Sequence, residues 1–147
     1  MKIRFIINPI SGTGKQKGIE NLIAKNLSNF DYTIVYTKES GSATEISRKA
    51  IEDKIGIVVA VGGDGTVNEC AKAVIGTDTA LGVIPCGSGN GFAYHIGMEK
   101  NIEQSIKQLN NCSITSIDSC TANGIPFVNV SGIGFDAHIA HLFANLT

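Results

Sequence analysis

Clusters of basic residues are missing from this 147-residue chain: 12 Lys and Arg stand against 13 Asp and Glu, for a formal net charge of −1 and a pI near 6.3. That balance argues against duplex nucleic acid as a partner, because such binding is dominated by neutralisation of phosphates. Also missing is any apolar run of roughly 20 residues, the length that spans a bilayer. Met1-Lys2-Ile3-Arg4 leads into an apolar strand, not a signal peptide. No Cys-x-x-Cys pair occurs; Cys70, Cys86, Cys112 and Cys120 fall mostly in apolar segments. Core thiols in a reducing cytosol are expected, not disulfides or structural zinc. His95, His138 and His141 do not form a metal set: the last two lie three apart on an expected helix, with no third ligand in view, and read as surface or lid residues. What the chain does have is 43% hydrophobic residues, enough for one core of ordinary size, and 17 glycines gathered at the ends of apolar runs.

The run Ile55 to Val61 reads as a buried strand and stops at Gly62-Gly63-Asp64-Gly65-Thr66-Val67-Asn68-Glu69. Glycines let a backbone turn sharply and approach a ligand closely. A helix start behind them offers unpaired N–H groups and a positive dipole end to an anion. Asp64 stands where a phosphate is expected, so its carboxylate suits work through a cation or on a proton. A plain capped turn, with Thr66 as N-cap and Glu69 closing a capping box, uses the same geometry.

In chain order, Lys2 to Asn8 is a first strand closed by Pro9. Ser11-Gly12-Thr13-Gly14-Lys15 is a Gly-rich loop with one cation; it is not a Walker loop, since Pro9 and Gln16 stand where that motif needs Gly and Ser/Thr. Helical spacing of Ile19, Leu22, Ile23 and Leu27 predicts a helix over about 17–28, followed by a strand over 32–36 that ends at Thr37. Ser42-x-x-Glu45 has the form of a capping box opening a second helix. A third helix follows the glycine loop and stops at Gly76. A fourth strand, Ala80 to Pro85, again runs into glycines, Gly87-Ser88-Gly89-Asn90-Gly91, with short helices expected over 92–96 and around Ile102, Ile106 and Leu109. The alternation predicts a three-layer α/β fold, a mostly parallel sheet with helices on both faces. Ligands in such folds sit at the carboxyl ends of the strands, and the three Gly-rich loops are expected to meet there.

From residue 112 the pattern changes. Strands over 113–122 and 126–131, joined by Asn123-Gly124, form an expected hairpin. Gly132-Ile133-Gly134-Phe135-Asp136-Ala137 then opens a helix; its formal match to a dinucleotide fingerprint follows a hairpin strand, not the first strand of a βαβ unit. Phe127, Phe135 and Phe143 are expected in core or interdomain packing. The domains are read as 1–111, an α/β unit, and 112–147, the opening of a β-rich second unit.

Four segments in this order resemble the diacylglycerol kinase catalytic-domain family, which includes sphingosine, ceramide and bacterial lipid kinases. They are Asn8-Pro9-x-Ser11-Gly12, Gly62 to Glu69, Pro85-x-Gly87-Ser88-Gly89-Asn90-Gly91-Phe92-Ala93, and Gly132 to Ala137. The Gly-Gly-Asp-Gly-Thr element alone is shared with NAD kinases. The resemblance implies an enzyme, cytoplasmic and peripheral at the membrane, that uses ATP and Mg²⁺ to phosphorylate a lipid hydroxyl. It places Asp64 at the reaction centre. Gly62, Gly63, Gly65, Thr66, Val67, Asn68 and Glu69 would cradle phosphates beside it. Gly87, Ser88, Gly89, Asn90 and Thr37 would lie near the nucleotide, and Asn8 and Lys15 would join from the first loop. No protein metal ligand set is assigned, and a homodimer is compatible with the sequence. Ser88 and Gly91 stand where many bacterial diacylglycerol kinases have Thr and Asp, which brings the loop nearer to the sphingosine-kinase form; Ser42 stands where the family often has His. Because family members carry a full second domain, the expectation is a truncated chain that binds nucleotide without turning over lipid by itself. The alternatives are an NAD kinase-like enzyme and a nucleotide-binding regulatory module.

Overall fold

The computed structural model describes residues 1–12, 16, 18–130 and 132–144. Four strands, β1 (Lys2–Ile7), β2 (Asp31–Tyr36), β3 (Ile57–Gly62) and β4 (Ala80–Pro85), form a parallel sheet in the order β2-β1-β3-β4. Register pairs such as Ile7↔Tyr36, Ile7↔Val61 and Gly62↔Pro85 bring the four carboxyl ends level. The central strand β3 is buried along its whole length, as expected of a parallel strand covered on both faces.

Alternation splits its side chains between two cores. Ile57, Val59 and Val61 join Ile3, Phe5, Ile7 and Ile84 under α1 (Ile19–Asn26) and α5 (Ile102–Leu109). Val58 and Ala60 join Ile6 and Val83 under α2 (Ser42–Glu52), α3 (Asp64–Val74) and the short α4 (Gly91–His95). The three-layer α/β expectation therefore holds. A full side chain of this kind stabilises the fold by about 1.5–3 kcal/mol when buried, so the two clusters dominate the stability of the sheet.

Several local expectations are corrected. Helix α3 starts at Asp64 with Gly63 as its N-cap, and Val67 N–H donates to Gly63 C=O at 3.1 Å. Thr66 is thus inside the helix and caps nothing; its hydroxyl accepts from Asn8 Nδ2 at 3.2 Å. Glu69 closes no box on its own helix. Ser42 does not cap α2 either: Gly41 is the N-cap, and Ser42 Oγ accepts from the backbone N–H of Glu39 at 3.1 Å. Of the four thiols, Cys70 and Cys86 are buried, but Cys112 and Cys120 are exposed.

The hairpin is shorter than expected, β5 (Cys120–Ala122) pairing antiparallel with β6 (Ile125–Phe127) through Asn123-Gly124. Residues 113–119 take neither helix nor strand, in keeping with the marginal stability of a two-stranded ribbon, the form this sheet takes among the described residues. A last helix, α6, spans Phe135–Ala144. Phe135 is 76% exposed and does not serve as core packing; Phe127 is half-buried, and the Phe143 side chain lies outside the described residues.

Candidate functional site

The strand order reverses between β1 and β3, and in doubly wound sheets that switch point opens a crevice at the carboxyl ends of the strands. Here the crevice is a cleft of about 260 Å³ walled by Asn8, Pro9, Ile10, Thr37, Lys38, Glu39, Ser40, Ala43, Gly65, Thr66 and Glu69. Each wall has a local cause. Asn8 N–H extends the ladder to Val61 C=O at 3.0 Å, and its side-chain oxygen accepts from Ile10 N–H at 3.1 Å, turning the chain away from the sheet. Thr37 is held at the end of β2 by its N–H on Ile7 C=O at 2.9 Å. Gly65 and Thr66 bring the first turn of α3, where backbone N–H groups lack intrahelical partners by geometry and the dipole is positive. No side chain caps that end among the described residues.

The start of α2 differs. Glu69 crosses from α3 and accepts from Gly41 N–H at 3.0 Å and Ala43 N–H at 3.1 Å, while Thr44 Oγ1 donates to Glu69 C=O at 2.9 Å. One helix start at this end is filled by a carboxylate of the protein, and the other faces the cleft.

Asp64, the first residue of α3, immediately precedes the wall residue Gly65 but is not itself part of the cleft wall. Its Oδ2 accepts from Asn90 N–H at 2.8 Å, and its Oδ1 accepts from Asn129 Nδ2 at 2.8 Å. The β4–α4 loop that supplies Asn90 is clasped on itself: Asn90 Oδ1 accepts from Gly87 N–H at 2.9 Å, and Asn90 Nδ2 donates to Gly87 C=O at 2.6 Å. Asn90 adopts a left-handed conformation (φ 61°) and is buried, a backbone state that Asn tolerates better than most residues.

The glycine loops do meet. A Cβ on Gly87 would stand 2.5 Å from the Gly63 Cα, and one on Gly12, at φ +60°, would collide with the Cys86 carbonyl. Gly89 backs onto Asp64, a Cβ there lying 2.8 Å from Oδ2.

The expected site residues therefore sort into groups. Asn8, Thr37, Gly65, Thr66 and Glu69 line the cleft. Asp64, Gly63, Gly87, Gly89 and Asn90 form the junction beside it. Gly62 leaves room for the Thr66 side chain, whose Oγ1 a Cβ would approach to 2.5 Å. The Val67 side chain belongs to the core, and Asn68 Oδ1 is buried without a hydrogen-bond partner. Ser88 is exposed, and Lys15 lies outside the described residues. Sequence reasoning missed Asn129: a single Asn beyond the hairpin carries no local signal, and its contact with Asp64 spans 65 positions. Among the described residues no group of three His, Cys, Asp or Glu is placed to hold a metal ion.

Fold and junction together define a doubly wound α/β chain with glycine loops converging at its switch point. The chain belongs to the diacylglycerol kinase catalytic domain family, whose sequence model matches residues 2–122. It is 30% identical over 138 residues to the diacylglycerol kinase of Bacillus subtilis, covering 90% of this chain and 46% of that protein. A protein of Klebsiella pneumoniae named as a probable lipid kinase, YegS-like, is 32% identical over 112 residues, covering 74% of this chain and 38% of that one. Among solved structures, a diacylglycerol kinase from Bacillus anthracis aligns with a TM-score of 0.74 at 30% identity, over 87% of this chain and 48% of that chain. The chain thus spans less than half the length of these relatives.

Proposed function

We propose that this chain is the nucleotide-binding part of an ATP-dependent lipid kinase, which moves the γ-phosphate of ATP to a lipid hydroxyl at the membrane surface. The observation that carries this reading is the open first turn of α3, facing a cleft, with the Asp64 carboxylate held by Asn90 at that same helix start. Phosphoryl transfer asks for in-line positioning and charge neutralisation more than for covalent help. Backbone N–H donors at a helix start supply both without a basic cluster.

In this reading Gly65 and Thr66 receive phosphate oxygens through their backbone N–H groups, and Asn8 and Thr37 flank them across the cleft. Lys38, also in the wall, contributes a point charge. A nucleotide-bound Mg²⁺ fits the donor set, since Mg²⁺ commonly takes one or two carboxylates and completes its shell with phosphates and water. Asp64 would hold it. When bound, the ion supplies neutralisation of charge on the phosphates. Each Asp64 oxygen keeps a second lone pair beyond the hydrogen bond it accepts, so the carboxylate remains able to take a cation or the proton of an attacking hydroxyl. No helix of the described residues is long and apolar enough to cross a membrane.

The test is transfer of label from γ-labelled ATP, with Mg²⁺, by the full gene product supplied with a total lipid extract of its source. Label in an organic-soluble product supports the lipid kinase, and the product's headgroup names the acceptor. Label found only in added NAD would replace it with the NAD kinase-like reading. ATP binding with no transfer to any acceptor would favour a regulatory module.

A further inference from the structure

We propose that Asn129 is the positioning residue of the Asp64 carboxylate, so that seating of the chain just after β6 sets the orientation of the reactive group. This rests on the reading of Asp64 as that group. The side-chain amide of Asn129 donates to Asp64 Oδ1 at 2.8 Å, while Oδ2 takes the Asn90 N–H at 2.8 Å. A single donor would leave the carboxylate free to turn about its last torsion, which is broad and roughly two-fold. Two donors from different segments, one on each oxygen, fix its plane and leave the remaining lone pairs in set directions.

Asn129 is itself oriented. Its Oδ1 accepts from Val130 N–H at 2.9 Å, which assigns the nitrogen end of the amide to Asp64. The preceding Val128 packs on the core cluster under α2, α3 and α4, and so anchors the segment beside Asp64. Gly91 borders the amide: a Cβ there would stand in ordinary contact with it, 3.5 Å from Asn129 Oδ1. The contact joins the chain beyond the hairpin to the first residue of α3 across 65 positions. Asn129 acts through Asp64 and does not itself touch the transferred group.

Partners that orient an ion-binding carboxylate typically change metal affinity by about 10–100-fold when removed. The experiment is titration of ATP with and without Mg²⁺ into the wild-type chain, Asn129→Ala, Asp64→Ala and the double variant. Wild type is expected to bind ATP more tightly with Mg²⁺. Asn129→Ala loses about tenfold of that Mg²⁺-dependent gain and keeps its Mg²⁺-free affinity; in the Asp64→Ala background it changes nothing further. A second readout needs no nucleotide: the Asn129 side-chain amide resonances shift in Asp64→Ala. The inference is overturned if Asn129→Ala keeps the whole gain, if it weakens ATP equally with and without Mg²⁺, or if the amide resonances ignore the loss of Asp64. Retention of the gain in Asp64→Ala itself would overturn the assignment of Asp64, and this inference with it.

Discussion

The Glu69 carboxylate, on the third helix, caps the second helix at Ala43, whose N–H lies 3.1 Å from Oε2. With the bond from Gly41 at 3.0 Å, it ties the two helices that flank the cleft and fixes the end of the β2–α2 turn. A charged hydrogen bond of this kind contributes about 1.5–3 kcal/mol, and loss of a helix cap costs about 1 kcal/mol. Glu69→Ala is therefore expected to lower stability by about 2 kcal/mol, read from urea denaturation, and to weaken ATP binding because the wall from Thr37 to Ser40 loosens. Glu69→Gln, which still accepts one bond, should fall between. A wild-type urea midpoint in Glu69→Ala would contradict the cross-brace.

Gly65 separates stability from function. A Cβ there meets nothing within 4 Å outside its own helix, yet the residue lines the cleft. Since Gly within a helix is less favourable than Ala by about 0.5–1 kcal/mol, Gly65→Ala is expected to leave the fold as stable or more so. Affinity for ATP should nevertheless drop, because the added methyl enters the space assigned to phosphate. Thermal melts and calorimetric titration on one preparation check both halves; unchanged affinity would remove Gly65 from the site.

Gly87 gives the opposite case. The Gly63 Cα lies 2.5 Å from where its Cβ would stand, so Gly87→Ala must push the β3–α3 and β4–α4 loops apart. Both stability and ATP affinity are expected to fall, the former by about 1–3 kcal/mol as for other overpacked sites. A melt and an affinity equal to wild type would show that the loops do not touch as described.

Burial pushes the Cys70 thiol from its ordinary 9.0 up to about 11, with its hydrogen-bonding contact to Ser47 opposing and the charge of Glu69 adding to the rise. A group whose pKa is raised by folding contributes stability that is whole below its unfolded pKa and is lost as pH climbs through the folded one. Wild type should therefore lose stability between about pH 9 and 11 by about 2–3 kcal/mol more than Cys70→Ala does. Equal slopes for the two proteins would contradict the burial effect. At neutral pH, thiol reagents should label the exposed Cys112 and Cys120 and spare Cys70 and Cys86.

The sheet was legible from sequence because its signals are local. β4 was expected at Ala80–Pro85 and is found there, since an apolar run between Thr79 and a glycine loop leaves little choice. The convergence of the glycine loops followed from parallel topology, which gathers the carboxyl ends of the strands on one side. The caps were misread because Ser42, Thr66 and Glu69 each fit a local rule, while tertiary contacts outweigh it. Glu69 finds better donors across the interface at Gly41 and Ala43 than at its own helix start. Thr66 turns to Asn8 of another strand end. Asn129 could not be read at all, because its importance is a contact made only once the hairpin folds back on α3. The outer parts of the hairpin were overextended because alternation alone does not reveal that only two strands pair there among the described residues.

Whether the open turn of α3 receives the phosphates of ATP is tested most directly by backbone amide NMR during a titration with Mg²⁺·ATP. The expected result is saturable shifts concentrated at Asn8, Thr37, Gly65 and Thr66, with a separate response at Asn90 through its bond to Asp64. Saturable binding that moves amides elsewhere and leaves Gly65 and Thr66 still, or no binding at millimolar ATP, would contradict it.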